Sequence, residues 1–152
     1  MEPAGFEEAP MKNPKFFTLG EAEQLIGLLE TTLERVSRNR QQFLWLKGEL
    51  SILELIVECG ANEKNPDAAE LGVKKKKFAK LAREIEKDVA AIEETGCLLR
   101  DAEEGVVDFF SIQDGTVVFL CWKKGEDSIK YWHSIRDGFA GRQPLARSPS
   151  KS

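Results

Sequence analysis

Residues 106–122 read VVDFFSIQDGTVVFLCW. Two runs rich in β-branched and aromatic residues, VVDFFSI and TVVFLCW, flank Asp114-Gly115. Such runs favour strands, and Asp-Gly between them is a strong signal for a two-residue hairpin turn. That turn sets Gln113 opposite Thr116 and Asp108 opposite Cys121. The third run, SIKYWHSI, follows after KKGED, and GCLLR upstream is a candidate extra edge strand. The C-terminal part is therefore a small antiparallel meander.

Everything before it has another period. TLGE at Thr18–Glu21 is a capping box, in which the Thr18 hydroxyl takes the Glu21 amide and Glu21 reaches back. Leu19, Ala22, Ile26, Leu29, Leu33 and Val36 then recur in steps of three and four, as in a coiled-coil seam. Arg40 takes the next seam position. Phe43, Leu46, Leu50, Leu53 and Val57 resume the pattern, with one short step at Phe43–Leu46, a local stammer. Helix 18–59, closed by Cys59-Gly60, is roughly 60 Å long at ~1.5 Å per residue. GANEKNP is a turn in which Asn65 caps a second helix that opens on Pro66. Leu71, Phe78, Ile85 and Ile92 then fall every seven residues, and Gly96 ends helix 66–95. Two long amphipathic helices with a short turn form an antiparallel hairpin. The expected fold is α+β: that hairpin, with the meander near its open end. The first helix overhangs the second, and its exposed start needs cover from the rest of the chain or from a second copy.

The 152 residues suit one domain, here 16–145, between a flexible N-terminal arm (1–15) and a flexible polar tail (146–152). A hydrophobic fraction of 41% supports a core. The net charge of -4 argues against bulk binding to nucleic acid or anionic lipid. No apolar run approaches the ~20 residues of a membrane span, and MEPAGFEEAP is unlike a signal peptide, so a cytoplasmic location is expected. Lys74–Lys77 is read as a solvated helix face, because no aromatic residue interleaves it.

Asp108, Cys121, Glu126 and His133 carry donors that suit zinc or iron. The expected register argues against them. A five-residue KKGED loop sets Trp122 opposite Ser128, Phe119 opposite Tyr131 and Val117 opposite His133. His133 and Cys121 then share a face but lie roughly 13 Å apart at ~3.3 Å per residue. No metal site is expected, and Cys121 has no histidine beside it to act as a nucleophile. Cys59 and Cys97 fall at opposite ends of the hairpin, beyond disulfide reach. All three thiols are expected to be small buried or half-buried apolar groups.

The remaining candidate is YWHSIRDGFAGRQPL, residues 131–145. Tyr131 and His133 fall on one strand face and Trp132 on the other, toward the core. Gly138 and Gly141 allow positive φ and hence an inward-pointing nest of amides. Arg142 adds a planar fork for carboxylate or phosphate. Tyr131, Asp137, Gly141, Arg142 and Gln143 are the candidate ligand-binding residues. The structural alternative is a tight loop with Arg142 paired to Asp137 or to a helix carboxylate.

FTLGEAEQLIGLL, GVVDF, LCWKKGE and YWHSIRDGFAGRQPL, in this order and spacing, resemble an uncharacterised prokaryotic family catalogued as domain of unknown function 2203. The resemblance covers roughly residues 16–145 and implies a soluble bacterial protein. The chain departs from the family pattern at Gly20, where an acidic residue is usual, and at Gly27, where proline is usual. Both departures bear on the start of the first helix. The resemblance implies no activity or cofactor.

The favoured functional reading is a binding or assembly module: a homodimer through the long helices, with an anion-accepting loop at 138–143 for a small anionic ligand or a protein partner. The alternative is a small-molecule enzyme of hydrolase or lyase type, with His133 as acid/base, Arg142 as anion clamp, and Tyr131 or Asp137 orienting. No cofactor fingerprint is present.

Overall fold

In the computed structural model, residues 15–60 and 66–146 are described. The expected arm, apart from Lys15, the Asn65 cap and the tail beyond residue 146 lie outside them. The capping box is present: Thr18 Oγ1 accepts from the Glu21 amide at 3.1 Å, and Glu21 Oε1 accepts from the Thr18 amide at 3.0 Å. It opens a short helix α1, Leu19–Glu23, which a bend at Gln24-Leu25 separates from α2, Ile26–Cys59. One continuous helix over 18–59 was expected. The bend lies between Gly20 and Gly27, and glycine weakens helix continuity by ~1 kcal/mol at each position. Gly27 falls in the first turn of α2, where the proline usual in the resembling family is tolerated.

Helix α3 spans Pro66–Glu94 and returns antiparallel along α2. Arg35 binds Asp88 at 2.9 Å, the Phe43 and Phe78 rings stack at 4.3 Å, and Lys74 binds Glu49 at 2.6 Å. The buried positions of α2 are Ile26, Leu29, Thr32, Leu33 and Val36 before Arg40, and Leu46, Leu50 and Leu53 after it. At ~100° per residue the buried face swings by roughly a quarter turn across Arg40. The neighbours change along the helix: Ile26, Leu29 and Leu33 share one core with Ile92 of α3 and the sheet, whereas Phe43 and Glu49 meet Phe78 and Lys74 of α3.

The sheet has five antiparallel strands in chain order: β1 (Leu98–Asp101), β2 (Val106–Gln113), β3 (Thr116–Lys123), β4 (Tyr131–Ser134) and β5 (Gln143–Pro144). Asp114 at φ 52° and Gly115 at φ 78° make the expected turn, with Gln113 opposite Thr116 and Asp108 opposite Cys121. GCLLR supplies β1, and the closing loop returns as β5 beside β4. Alternation divides the sheet. Leu99, Val107, Phe109, Leu120, Trp122 and Trp132 face the helices and pack with Ala22, Ile26, Leu29, Leu33 and Ile92. The sheet thus covers the overhanging start of the first helix.

One register differs from expectation. Phe119, not Val117, lies opposite His133, and Cys121 lies opposite Tyr131. The connection is not a five-residue loop over KKGED, because Ile129 is drawn into the core. Its side chain is fully buried and its amide donates to Glu23 Oε2 at 3.0 Å. The residues ahead of it coil around Glu126, whose carbonyl accepts from Trp122 Nε1 at 2.8 Å and whose carboxylate accepts from the Lys123 amide at 2.9 Å. Strand β4 consequently shifts by two residues relative to β3.

Candidate functional site

That shift reshapes the sheet face turned away from the helices. Asp108 on β2, Cys121 on β3 and His133 on β4 all point to this face. Each is at most 2% exposed, and one donor atom from each lies within 4.8 Å of the others. The expected separation of His133 from Cys121 is therefore overturned, because it rested on the five-residue loop. His133 Nε2 lies 3.0 Å from Asp108 Oδ2, and its Nδ1 lies 2.9 Å from the Ser134 carbonyl oxygen. Arg100 Nε donates to the same Oδ2 at 3.0 Å, while its guanidinium sits 5.0 Å above the Phe119 ring. Asp108 Oδ1 is buried and has no hydrogen-bond partner. Burial, followed by the neighbouring Asp108 carboxylate, pushes the Cys121 thiol up to about 12. A thiol so buried and so protonated is a poor nucleophile, and no substrate reaches it.

The 138–143 loop is built differently from an anion nest. Gly138 has φ -109°, and neither it nor Gly141 is among the positive-φ glycines. Phe139–Gly141 form a 3-10 turn instead. Gly141 is needed for close packing, because a Cβ there would meet Asp137 Cβ at 2.7 Å. Arg142 Nη2 donates to both Glu126 carboxylate oxygens at 2.8 Å, with the Cys121 carbonyl at 3.3 Å. The guanidinium is sandwiched against Tyr131 at 4.0 Å and Phe139 at 4.5 Å, and the side chain is 12% exposed. Nη2 of the fork expected to clamp an external anion is taken by Glu126, a loop carboxylate rather than Asp137 or a helix residue, while Nε is buried without a hydrogen-bond partner. Gln143 lies exposed on the edge strand. Tyr131 and His133 share one face, and Trp132 takes the core side as expected.

The family model described as "Uncharacterized conserved protein (DUF2203)" matches residues 15–145. The chain belongs to this family. No curated protein and no solved structure matches it. In this DUF2203 member the matched span holds the whole cluster, with Arg100 bound to Asp108 and the Glu126–Arg142 pair beside it. Glu126 was visible in the sequence as a donor candidate. Arg100 was not, because its pairing with Asp108 depends on the register of β1 against β2.

The cysteines divide by position. Cys59 is exposed, contrary to expectation, whereas Cys97 and Cys121 are buried, and all three are free thiols. No helix among the described residues is long and apolar enough to cross a membrane.

Proposed function

We propose that this DUF2203 member is an assembly module that forms a homodimer through the outer face of α2. The observation carrying this reading is a stripe of large apolar side chains opposite the hairpin seam. Leu44, Trp45, Ile52, Leu55 and Ile56 are each 43–63% exposed, while Leu46, Leu50 and Leu53 on the other side are buried. At ~100° per residue the five fall within an arc of about 120°. Together they offer on the order of 500 Å² of apolar surface, the size at which a contiguous patch marks an interaction surface.

A second copy is the occupant that fits. Gly48 sits in the middle of the stripe, and a Cβ built there meets nothing within 4 Å, so another helix can approach closely. Arg40 and Glu58 are eighteen residues apart, five turns of helix, and so occupy the same edge of the stripe at its two ends. An antiparallel two-fold pairing centred near Gly48-Glu49 brings Arg40 of each protomer to Glu58 of the other, an isologous contact.

Sedimentation equilibrium at micromolar concentrations tests this. The expected result is a dimer that Trp45→Glu with Ile52→Glu converts to a folded monomer. Arg40→Glu weakens the dimer, and adding Glu58→Arg restores it. A wild-type monomer throughout the range overturns the proposal and leaves the stripe to a different protein. The enzyme reading gains no support, since His133 is buried and Arg142 is committed to Glu126.

A further inference from the structure

We propose that Asp108, Cys121 and His133 form a binding site for a borderline transition-metal dication, with zinc the best match. The three residues offer one oxygen, one sulfur and one nitrogen from neighbouring strands of a single sheet face, within 4.8 Å of one another. Tetrahedral bonds of ~2.0–2.3 Å place ligands about 3.3–3.8 Å apart. Contraction by about 1 Å lies within side-chain rotation, so the backbone register needs no change.

The hydrogen bonds around the cluster are arranged for a cation. A carbonyl oxygen only accepts, so the contact with the Ser134 carbonyl requires the proton on Nδ1. In the neutral ring Nε2 then carries its lone pair, yet it faces the Asp108 carboxylate, another acceptor, at 3.0 Å. Two acceptors buried face to face call for a proton or a cation between them. Asp108 Oδ1 is a further buried acceptor with nothing to accept. A dication meets both demands: Nε2 and Oδ1 become ligands, Nδ1–H stays on the Ser134 carbonyl, and Arg100 keeps Oδ2. Metal-bound histidine and carboxylate are commonly oriented by partners of this kind.

The ligand charges suit a dication as well. The Asp108 carboxylate and the Cys121 thiolate supply two anionic ligands beside neutral His133, and the Arg100 cation that stays on Oδ2 leaves the loaded site one charge positive. On binding, the metal–sulfur bond forms as the Cys121 thiol releases its proton to solvent. The burial that holds the free thiol protonated is offset by the adjacent dication. The mixed sulfur, nitrogen and oxygen set favours zinc over magnesium or calcium, which take all-oxygen shells.

Cobalt(II) titration of metal-free protein in a Cys59→Ala background tests the site without the exposed thiol. The expected result is one ion per chain, with a thiolate-to-cobalt charge-transfer band that zinc then abolishes by displacement. Cys121→Ala removes the band while the far-ultraviolet circular dichroism is unchanged. Arg100→Gln, which withdraws the donor to Asp108 Oδ2 and the cation over the Phe119 ring, weakens binding by roughly tenfold or more. No band in the Cys59→Ala protein overturns the proposal, and so does a band that survives Cys121→Ala.

Discussion

Truncation of Ile129 should cost about 3–4 kcal/mol, because this side chain holds the connection that sets the β3–β4 register. It is fully buried in the cluster that includes Leu29, Leu120 and Trp122. Ile129→Ala deletes three carbon atoms, about 2.4 kcal/mol of transfer at ~0.8 kcal/mol each. A cavity in a closely packed core adds ~1 kcal/mol or more. Ile129→Val deletes one carbon and should cost about 1 kcal/mol. Ile135→Ala, at a loop position 48% exposed, should stay within about 0.5 kcal/mol of the wild type. Urea denaturation followed by circular dichroism measures these differences as midpoint shifts at constant slope. Protein concentration must be matched, because the stability of the proposed dimer would depend on it. An Ile129→Ala protein within about 1 kcal/mol of the wild type would refute the reasoning, as would Val and Ala variants of equal cost.

Two further predictions concern stability. Burial pushes the Cys97 thiol up to about 11, whereas an unfolded thiol ionises near ~8.5. Its contribution is complete below about 8.5 and is lost as pH rises toward 11, by on the order of 3 kcal/mol. Denaturation midpoints across that window should fall more steeply for the wild type than for Cys97→Ala, and parallel curves would count against this account. Thr18→Ala removes the hydroxyl that accepts from the Glu21 amide and should lower stability by ~1 kcal/mol; a loss no greater than that of an exposed Ser51→Ala control would show that the cap contributes little.

The helical hairpin and the β2–β3 hairpin were legible because their signals are local. Leu and Ile at steps of three and four, with a capping Thr18, define a helix without reference to the rest of the chain. Asp114-Gly115 defines its turn in the same way. The β3–β4 register was not legible, because it depends on Ile129 reaching Glu23 and a core that exists only in three dimensions. A two-residue difference in register is enough to separate His133 from Cys121 and hide the cluster, although Asp108, Cys121 and His133 each carry a recognisable metal-donor side chain. The pairing of Arg142 with Glu126 is hidden for a similar reason: Glu126 lies in the connection whose path depends on Ile129. The bend at Gln24-Leu25 had only the two flanking glycines as a local signal.

The sheet order has a consequence for how the molecule is assembled. Each strand pairs with its neighbour in the chain, so every ladder closes a short loop at small entropic cost, and the meander can zip from the Asp114-Gly115 turn outward. Synthesis, however, produces the helices first. Until the residues up to Ile129 leave the ribosome, Ala22, Ile26 and Leu29 have no sheet to cover them. A nascent chain therefore carries a sticky helical surface for as long as it takes to make the last third of the domain, and the speed of the meander's zippering determines how long that exposure lasts.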